Sequence, residues 1–492
     1  MELVKSRGTT SRPEAEAMKQ IQENENEASN KNVPNQKNDH ATTILWVTYL
    51  NLVLYALSYQ LQRPVEPFLI QSLIEKNSDA GNSDEDSAHD VRMAYGNLQS
   101  FFQAIQTIGS PLVGILLDRL GVRNTSALVF LASAMSYAML AAATDLRGLF
   151  LSKLPTVLQA AFLVAQATAT TTLQQSGDTA TDESITAARA AALGRMTTAY
   201  TIGATLGPMM GGKLATHGDY TIGAKLAVAG SLASVVLSLV FLPSNHQHHL
   251  HSNPKKEDDP QPQEKQTPTK NFLQELQHSG KLLIRSGLWP LLMIKVLGGV
   301  MASVHSTAMP LIMTKDGLGW EPSQLGFVMS SSMFAVAAFG AVAMAPLTQI
   351  MEGSRLGMMQ WGLLTRAMMG CLLAWIISSS LDKENGISTS SGLMYSSVIS
   401  VSIWHALASH TLATGLTTKT TGLVSKEEQG ALLGLEHGLF SLARIVGPTI
   451  GTRLLEWGGL WSVEITCGVM DVILAVLSVS LLVRTKEKRT WL

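Results

Sequence analysis

The stretch AALGRMTTAYTIGATLGPMMGGKLATHG at 191–218 and the stretch ALLGLEHGLFSLARIVGPTIGTRLLEWG at 431–458 align without a gap at an offset of 240. Leu193/Leu433, Gly194/Gly434, Gly207/Gly447, Pro208/Pro448, Gly211/Gly451, Leu214/Leu454 and Gly218/Gly458 coincide. A second match sets Pro67 before FLI against Pro310 before LIM, at an offset of 243. Gly203, Gly207 and Gly211 stand four apart, so on a helix they form one smooth stripe for close packing, as Gly447 and Gly451 do in the repeat. Pro208 has no N–H to give to the carbonyl of Ala204, and Pro448 none for Arg444, so both helices should bend there. Two copies of one helical unit in a single apolar chain are a transporter architecture.

Outward from the repeat, the chain supports that reading. Of its 492 residues 46% are hydrophobic and only 15% charged, against roughly 25% charged in soluble proteins. About half of the charges lie in 1–40, 71–93, 244–286 and 484–492, leaving the rest too apolar to stay in water. A bilayer crossing needs about 20 apolar residues. Such stretches fall at 43–63, 95–117, 125–144, 149–173, 191–215, 222–243, 289–313, 324–347, 357–380, 392–416, 431–456 and 461–483. The expected fold is an all-α membrane protein of twelve transmembrane helices in two six-helix pseudo-repeat halves. Its expected parts are a disordered tail 1–42, a first half 43–243, a disordered linker 244–286, a second half 287–483 and a basic tail 484–492. Lys and Arg cluster at 118–124, 349–356, 484–492 and in the linker, whereas NSDAGNSDEDSAHD at 77–90 is acidic. The positive-inside rule therefore predicts cytosolic termini and a cytosolic linker.

The connection GILLDRLGVR (114–123) follows the second span. Gly114 permits close helix contact, Asp118 sits at the helix exit, Gly121 makes the turn, and Arg119 and Arg123 face the anionic leaflet. This string resembles the G-x-L-x-D-R-x-G-x-R motif of the major facilitator superfamily, departing at Val122, where the motif has a basic residue. The resemblance implies that Asp118 latches onto the opposite half at the cytosolic side. The corresponding LTQIMEGSRLG (347–357) is degenerate. GATLGPMMGG (203–212) likewise resembles the glycine–proline motif of the superfamily's antiporters. YGNLQSFFQAIQTIGSPLVGILLDRLG, SKLPTVLQAAFLVAQA, IKVLG and LLGLEHGLFSLARIVGPTIG are similar to an organic-cation-transporter-like branch related to tetracycline/proton antiporters. Lys153, Gln166, Lys295 and Arg444 lie at its matched positions, with Lys153 standing for an arginine.

Polar side chains inside spans are costly and mark candidate sites. Tyr55, Tyr59, Gln62 and Glu66 share a face of the first helix. Gln99, Gln103 and Gln106 stripe the second; Gln159 and Gln166 lie on the fourth. Lys295 enters the seventh, and Glu436 and Arg444 share a face of the eleventh. Lys295 and Glu436 lie at similar depth, so they can meet, and Glu436 is the first candidate to accept a coupling proton, with Glu66 next. The alternative for all of these is hydrogen bonding between helices with no ligand. Arg366 and Asp471 read as a structural ion pair. His246, His248, His249 and His251 suit either zinc or a solvated linker. His405 and His410, five apart, do not share a metal-binding face. Cys371 and Cys467 form no CxxC pair. No Walker A loop, HExxH or GxSxG is present, and the net charge of −1 offers no basic field for nucleic acid. The expectation is a monomeric secondary transporter without cofactor, moving a small solute across a bilayer. The resemblance implies proton-coupled antiport of an organic, cationic solute, while intramembrane Lys and Arg suit an anion equally well. The rival is a non-transporting membrane regulator or adaptor of the same fold.

Overall fold

The computed structural model describes residues 41–77, 84–176, 182–243, 288–314, 318–351, 355–381, 391–424 and 429–489. Residues 1–40 of the first tail, the whole linker 244–286 with its histidines, and part of 347–357 lie outside the described residues. Every described element is helical, as lipid demands, because a helix satisfies its backbone polar groups within itself. The elements are α1 (Ala41–Gln62), α2 (Glu66–Asn77), α3 (Asp84–Ala142), α4 (Leu146–Ser152), α5 (Ala161–Ser176), α6 (Asp182–Leu214) and α7 (Ile222–Phe241). The second half supplies α8 (Trp289–Met313), α9 (Pro322–Val342), α10 (Met344–Ile350), α11 (Arg355–Leu381), α12 (Ser391–Thr421) and α13 (Gln429–Arg489).

Two of these helices double back. Gly121 leaves helical geometry at φ 73° and ψ 176°. In an unbroken helix Val113 and Val129 would stand roughly 24 Å apart, yet both share one small cluster with Phe130, Ala161 and Val164. Gly458 and Gly459 break α13 in the same way. Met301 of α8 meets Cys467 beyond the break, while Gly299 and Val304 beside it meet Ala443 and Gly451 before it. Eight described stretches are long and apolar enough to cross a bilayer; two of them, Ser87–Ala142 and Gly438–Val479, contain these reversals. The expected count of twelve rests on the reversals and on α6 and α12, which have spanning length but more polar composition.

The fourth span differs from the expected single helix over 149–173. Pro155 cannot continue an α-helix, so α4 passes into a 3-10 turn at Leu154–Leu158. The chain leaves that turn through an inverse γ-turn at Gln159, where Ala160 N–H donates to Leu158 C=O at 2.8 Å. The helix resumes only at Ala161.

The sequence repeat reappears as a repeat of contacts. A Cβ on Gly207 would strike Gln60, and one on Gly211 would strike the Leu61 carbonyl. In the second half Gly447 meets Ser303 and Gly451 meets Val304. Adding 240 to each glycine and 243 to each partner converts the first pair of contacts into the second. The glycine stripe of α6 thus seats α1 as that of α13 seats α8.

The two halves meet at one end. The largest apolar cluster joins Phe68, Ile70, Tyr95 and Leu98 to Met309, Trp320, Leu325 and Val328, whereas the other described clusters stay within one half. Polar ties add to it: Ser100 with Thr449 at 3.0 Å, His89 with Glu456 at 2.9 Å, and the Met209 N–H donating to Ser330 Oγ at 2.9 Å. At the other end, which carries Arg119 and Arg123, Gly114, Gly194 and Gly438 have open space around them. The molecule is sealed at the end away from the basic connections and parted at the basic end.

Candidate functional site

A narrow polar cavity of about 30 Å³ is walled by α1, both arms of α3 and the broken fourth span. Tyr59 and Gln62 enter from α1, Arg63 from the turn before Pro64, and Glu66 from the first position of α2. Gln99 and Phe102 come from α3, Tyr137 from its returning arm, and Lys153, Thr156 and Gln159 from the 3-10 turn and its ends. The break at Pro155 is what turns Lys153 and Gln159 toward the same space.

At its centre is a buried ion pair. Lys153 Nζ donates to Glu66 Oε1 at 2.6 Å, and Gln99 Nε2 donates to Glu66 Oε2 at 2.6 Å. The Glu66 and Lys153 side chains are 8% and 13% exposed. Stranding either charge in lipid would cost about 2.5–3.5 kcal/mol on insertion scales, so each holds the other in place. Lys153 also lies 5.6 Å over the Phe102 ring, which stacks on Tyr59 with centroids 5.9 Å apart. Gln159 donates to the Tyr137 hydroxyl at 3.0 Å and accepts from Gln106 at 3.4 Å, and the Tyr55 hydroxyl donates to its backbone carbonyl at 3.4 Å.

Two groups in this wall have no such partner. Gln62 is buried, yet its Nε2 makes no hydrogen bond among the described residues. Leaving a buried donor unmade costs about 1–3 kcal/mol, and this one lies beside Gly223 of α7, whose missing side chain leaves it room. Arg63 forms no ion pair among the described residues, so the wall carries two fixed cations against one carboxylate.

A second polar cluster lies in the other half. Lys295 of α8 pairs with Glu436 of α13 and donates to Thr417 of α12 at 2.9 Å; Thr420 donates to the other Glu436 oxygen at 2.6 Å. Both carboxylate oxygens are thus engaged, and Leu292, Val296, Leu439 and Phe440 close around the pair. The expected meeting of Lys295 and Glu436 is therefore present, and it ties three helices together. Arg444 does not join it. It is half-buried, without an ion pair among the described residues.

Other expected residues stand apart from the cavity. Gln103 is buried and Gln166 half-buried, and neither lines it. Asp118 and Arg119 are exposed, and Asp118 pairs with no described residue, as the parted basic end requires. Arg366 and Asp471 form the expected ion pair, with Arg366 Nε donating to Asp471 Oδ2 at 2.6 Å and NH1 donating to the Gly298 carbonyl at 3.1 Å. Sequence reasoning passed over the pairing of Lys153 with Glu66, the free Arg63, and Glu464 with His305. The available signal was charge: Lys153 is the one charged residue of the stretch 149–173, and Glu66 stands three residues beyond the stretch 43–63.

The family model described as Major Facilitator Superfamily matches residues 48–424 and 291–492. Solute carrier family 22 member 18 of Mus musculus is 26% identical over 374 residues, covering 75% of this chain and 82% of that protein. Solute carrier family 67 member A1 of Homo sapiens is 34% identical over 158 residues, covering 31% of this chain and 35% of that one. Among solved structures, the human organic anion transporter MFSD10 (TETRAN) superposes with a TM-score of 0.54 at 18% identity, over 89% of this chain and 99% of that one. The nucleoside transporter NupG superposes with a TM-score of 0.61 at 15% identity, over 90% and 99% of the two chains.

Proposed function

This chain belongs to the major facilitator superfamily, and from that premise we propose that it moves a small organic solute bearing an anionic group by alternating access, in exchange for protons. The chain is an integral multi-pass membrane transporter; the solute and the coupling are the proposal. The observation that carries it is the imbalance in the first-half cavity, where Arg63 and Lys153 face the single carboxylate of Glu66 beside the unbonded Gln62 amide. A carboxylate-bearing solute would satisfy both deficits: it supplies the missing negative charge and accepts from Gln62 Nε2. The stacked Tyr59 and Phe102 rings offer an apolar wall for the rest of the solute.

The sealed end and the parted end supply the conformational half of the reading. Rocking about a midplane site moves a solute when the apolar seal and the latch alternate. Asp118, exposed here, is placed to engage when the basic end closes. The transition needs no covalent chemistry.

The test is uptake into proteoliposomes of a panel of small organic anions and cations, with and without an inward or outward pH gradient. Anion movement driven by the gradient and weakened at least tenfold by Arg63→Gln is expected. Preference for cations would overturn the charge assignment. Movement of no solute by any arm would favour the regulator or adaptor reading.

A further inference from the structure

The second half holds a buried titratable cluster that the substrate cavity does not use. His305 Nδ1 of α8 lies 2.7 Å from Glu464 Oε1 in the returning arm of α13, with side chains 14% and 1% exposed. The ring of His405, from α12, stacks on that of His305 with centroids 3.9 Å apart and planes 24° apart. From α11, Arg366 approaches but is taken up by Asp471 and the Gly298 carbonyl. Gly370 of the same helix lets the Glu464 carboxylate lie against it, where any Cβ would collide. Cys371 and Cys467 complete the titratable groups facing the cluster, both as free thiols.

Charge accounting singles out the pair. Arg366 and Asp471 neutralise each other, so among the described residues the only cation left for the buried Glu464 is His305 in its protonated form. A second imidazolium stacked directly on the first is opposed by repulsion, so His405 stays neutral while His305 is charged. The internal repeat sharpens the contrast. At the offset of 243, His305 occupies the place of Gln62, and at the offset of 240, Glu464 occupies the place of Ala224. The first half thus sets an amide against a small apolar residue where the second half sets a titratable base against a carboxylate.

We infer that His305, Glu464 and His405 form a single-proton site, and that this is the site where the protein carries its coupling proton. The inference deepens the transport reading above and rests on it for the word coupling. The site takes one proton from water at the exposed edge of His305, giving an imidazolium and a carboxylate that are neutral together. Return of that proton to water leaves a neutral imidazole and an isolated buried carboxylate, the costly state. Histidine is suited to this because its ordinary titration falls near neutral pH. The link to conformation is short: Ser303 and Val304, next to His305, are the α8 residues on which Gly447 and Gly451 of α13 pack, either side of Pro448. Making or losing the charge on His305 acts on α8 within two residues of that bend contact.

The test is a pH titration of the full chain in nanodiscs by carbon-13 histidine NMR, with His305→Gln and His405→Gln assigning the two rings. One proton uptake shared by the stacked pair is expected in the wild type. Glu464→Gln should lower the proton affinity of His305 at least tenfold. Gly370→Ala, which displaces the carboxylate while keeping every titratable group, should lower it less, and it serves should the glutamine variant fail to fold. Two independent histidine titrations, or a His305 step unmoved in both Glu464→Gln and Gly370→Ala, would overturn the site. The titration needs no solute. A protein that titrates as described but moves nothing refutes the transport reading alone; pH-driven uptake that persists in Glu464→Gln refutes this inference alone.

Discussion

A single amide shows how a residue acquires a role that its type does not announce. Gln62 is one of many glutamines in these helices, and most of the others near it are spoken for: Gln99 by Glu66, Gln106 by Gln159, Gln159 by Tyr137. Replacing Gln62 with Leu should leave folding intact, because no protein partner is orphaned, while weakening solute affinity by about tenfold, the equivalent of one hydrogen bond of roughly 1.4 kcal/mol. Competition binding against the best anion of the uptake panel measures it; unchanged affinity would remove Gln62 from the site. Glu436 behaves oppositely. Glu436→Gln strands Lys295, whose side chain is 18% exposed, and should cost at most about 2.5–3.5 kcal/mol of thermal stability in detergent. Adding Lys295→Met should recover most of that loss, since removing both partners of a buried pair costs less than removing one. If Glu436→Gln instead keeps wild-type stability but loses pH-driven accumulation, the coupling proton belongs there. The Lys295–Glu436 contact was legible in the sequence because both residues sit at the same depth in unbroken helices. Lys153 with Glu66 was not, because the turn after Pro155 and the turn at 63–65 reset depth and direction in ways that counting along a helix does not reach.

At the scale of the element, glycines separate into those that hold helices together and those that do not. The difference is invisible in their spacing. Gly211 lies against the Leu61 carbonyl, and Gly451 against that of Val304, whereas Gly194 faces open space. Gly211→Ala should therefore destabilise by about 1–3 kcal/mol through overpacking, Gly451→Ala by a similar or smaller amount, and Gly194→Ala should be neutral or slightly stabilising through helix propensity. Thermal unfolding of the three variants in one detergent gives the order; equal melting temperatures would show that the stripes are not seams. The 240 offset announced both stripes, and small residues four apart announced a packing face. What neither disclosed was the partner, which follows only when the 243 offset of α1 and α8 is read together with it. The two reversals were legible for a plain reason: at Gly121 a positive φ is needed and glycine supplies it. The polar α12 was legible as a helix but not as a wall of the His305 cluster, because His405 finds its partner on another helix.

For the molecule as a whole, the apolar seal and the parted basic end predict both a topology and a motion. With Cys371 and Cys467 replaced by Ser, a cysteine at Asn124 should resist an impermeant maleimide on intact cells carrying the protein at their surface. One at Thr144, at the other end of the same helical arm, should react; the reverse pattern would invert the protein in the membrane. Cysteines at Ser100 and Thr449, whose hydroxyls lie 3.0 Å apart across the halves, should cross-link on oxidation. Transport should then fall to background and return on reduction; turnover by a fully cross-linked protein would mean that this end never opens. The seal has a thermal signature as well. Its strength comes chiefly from the apolar cluster shared by the halves, and parting them wets that surface. The transition should therefore carry a positive heat-capacity change, and the driving force that holds this end shut should weaken on cooling. An Arrhenius plot of transport would then be curved, with its slope set by how much oily surface each cycle must expose to water.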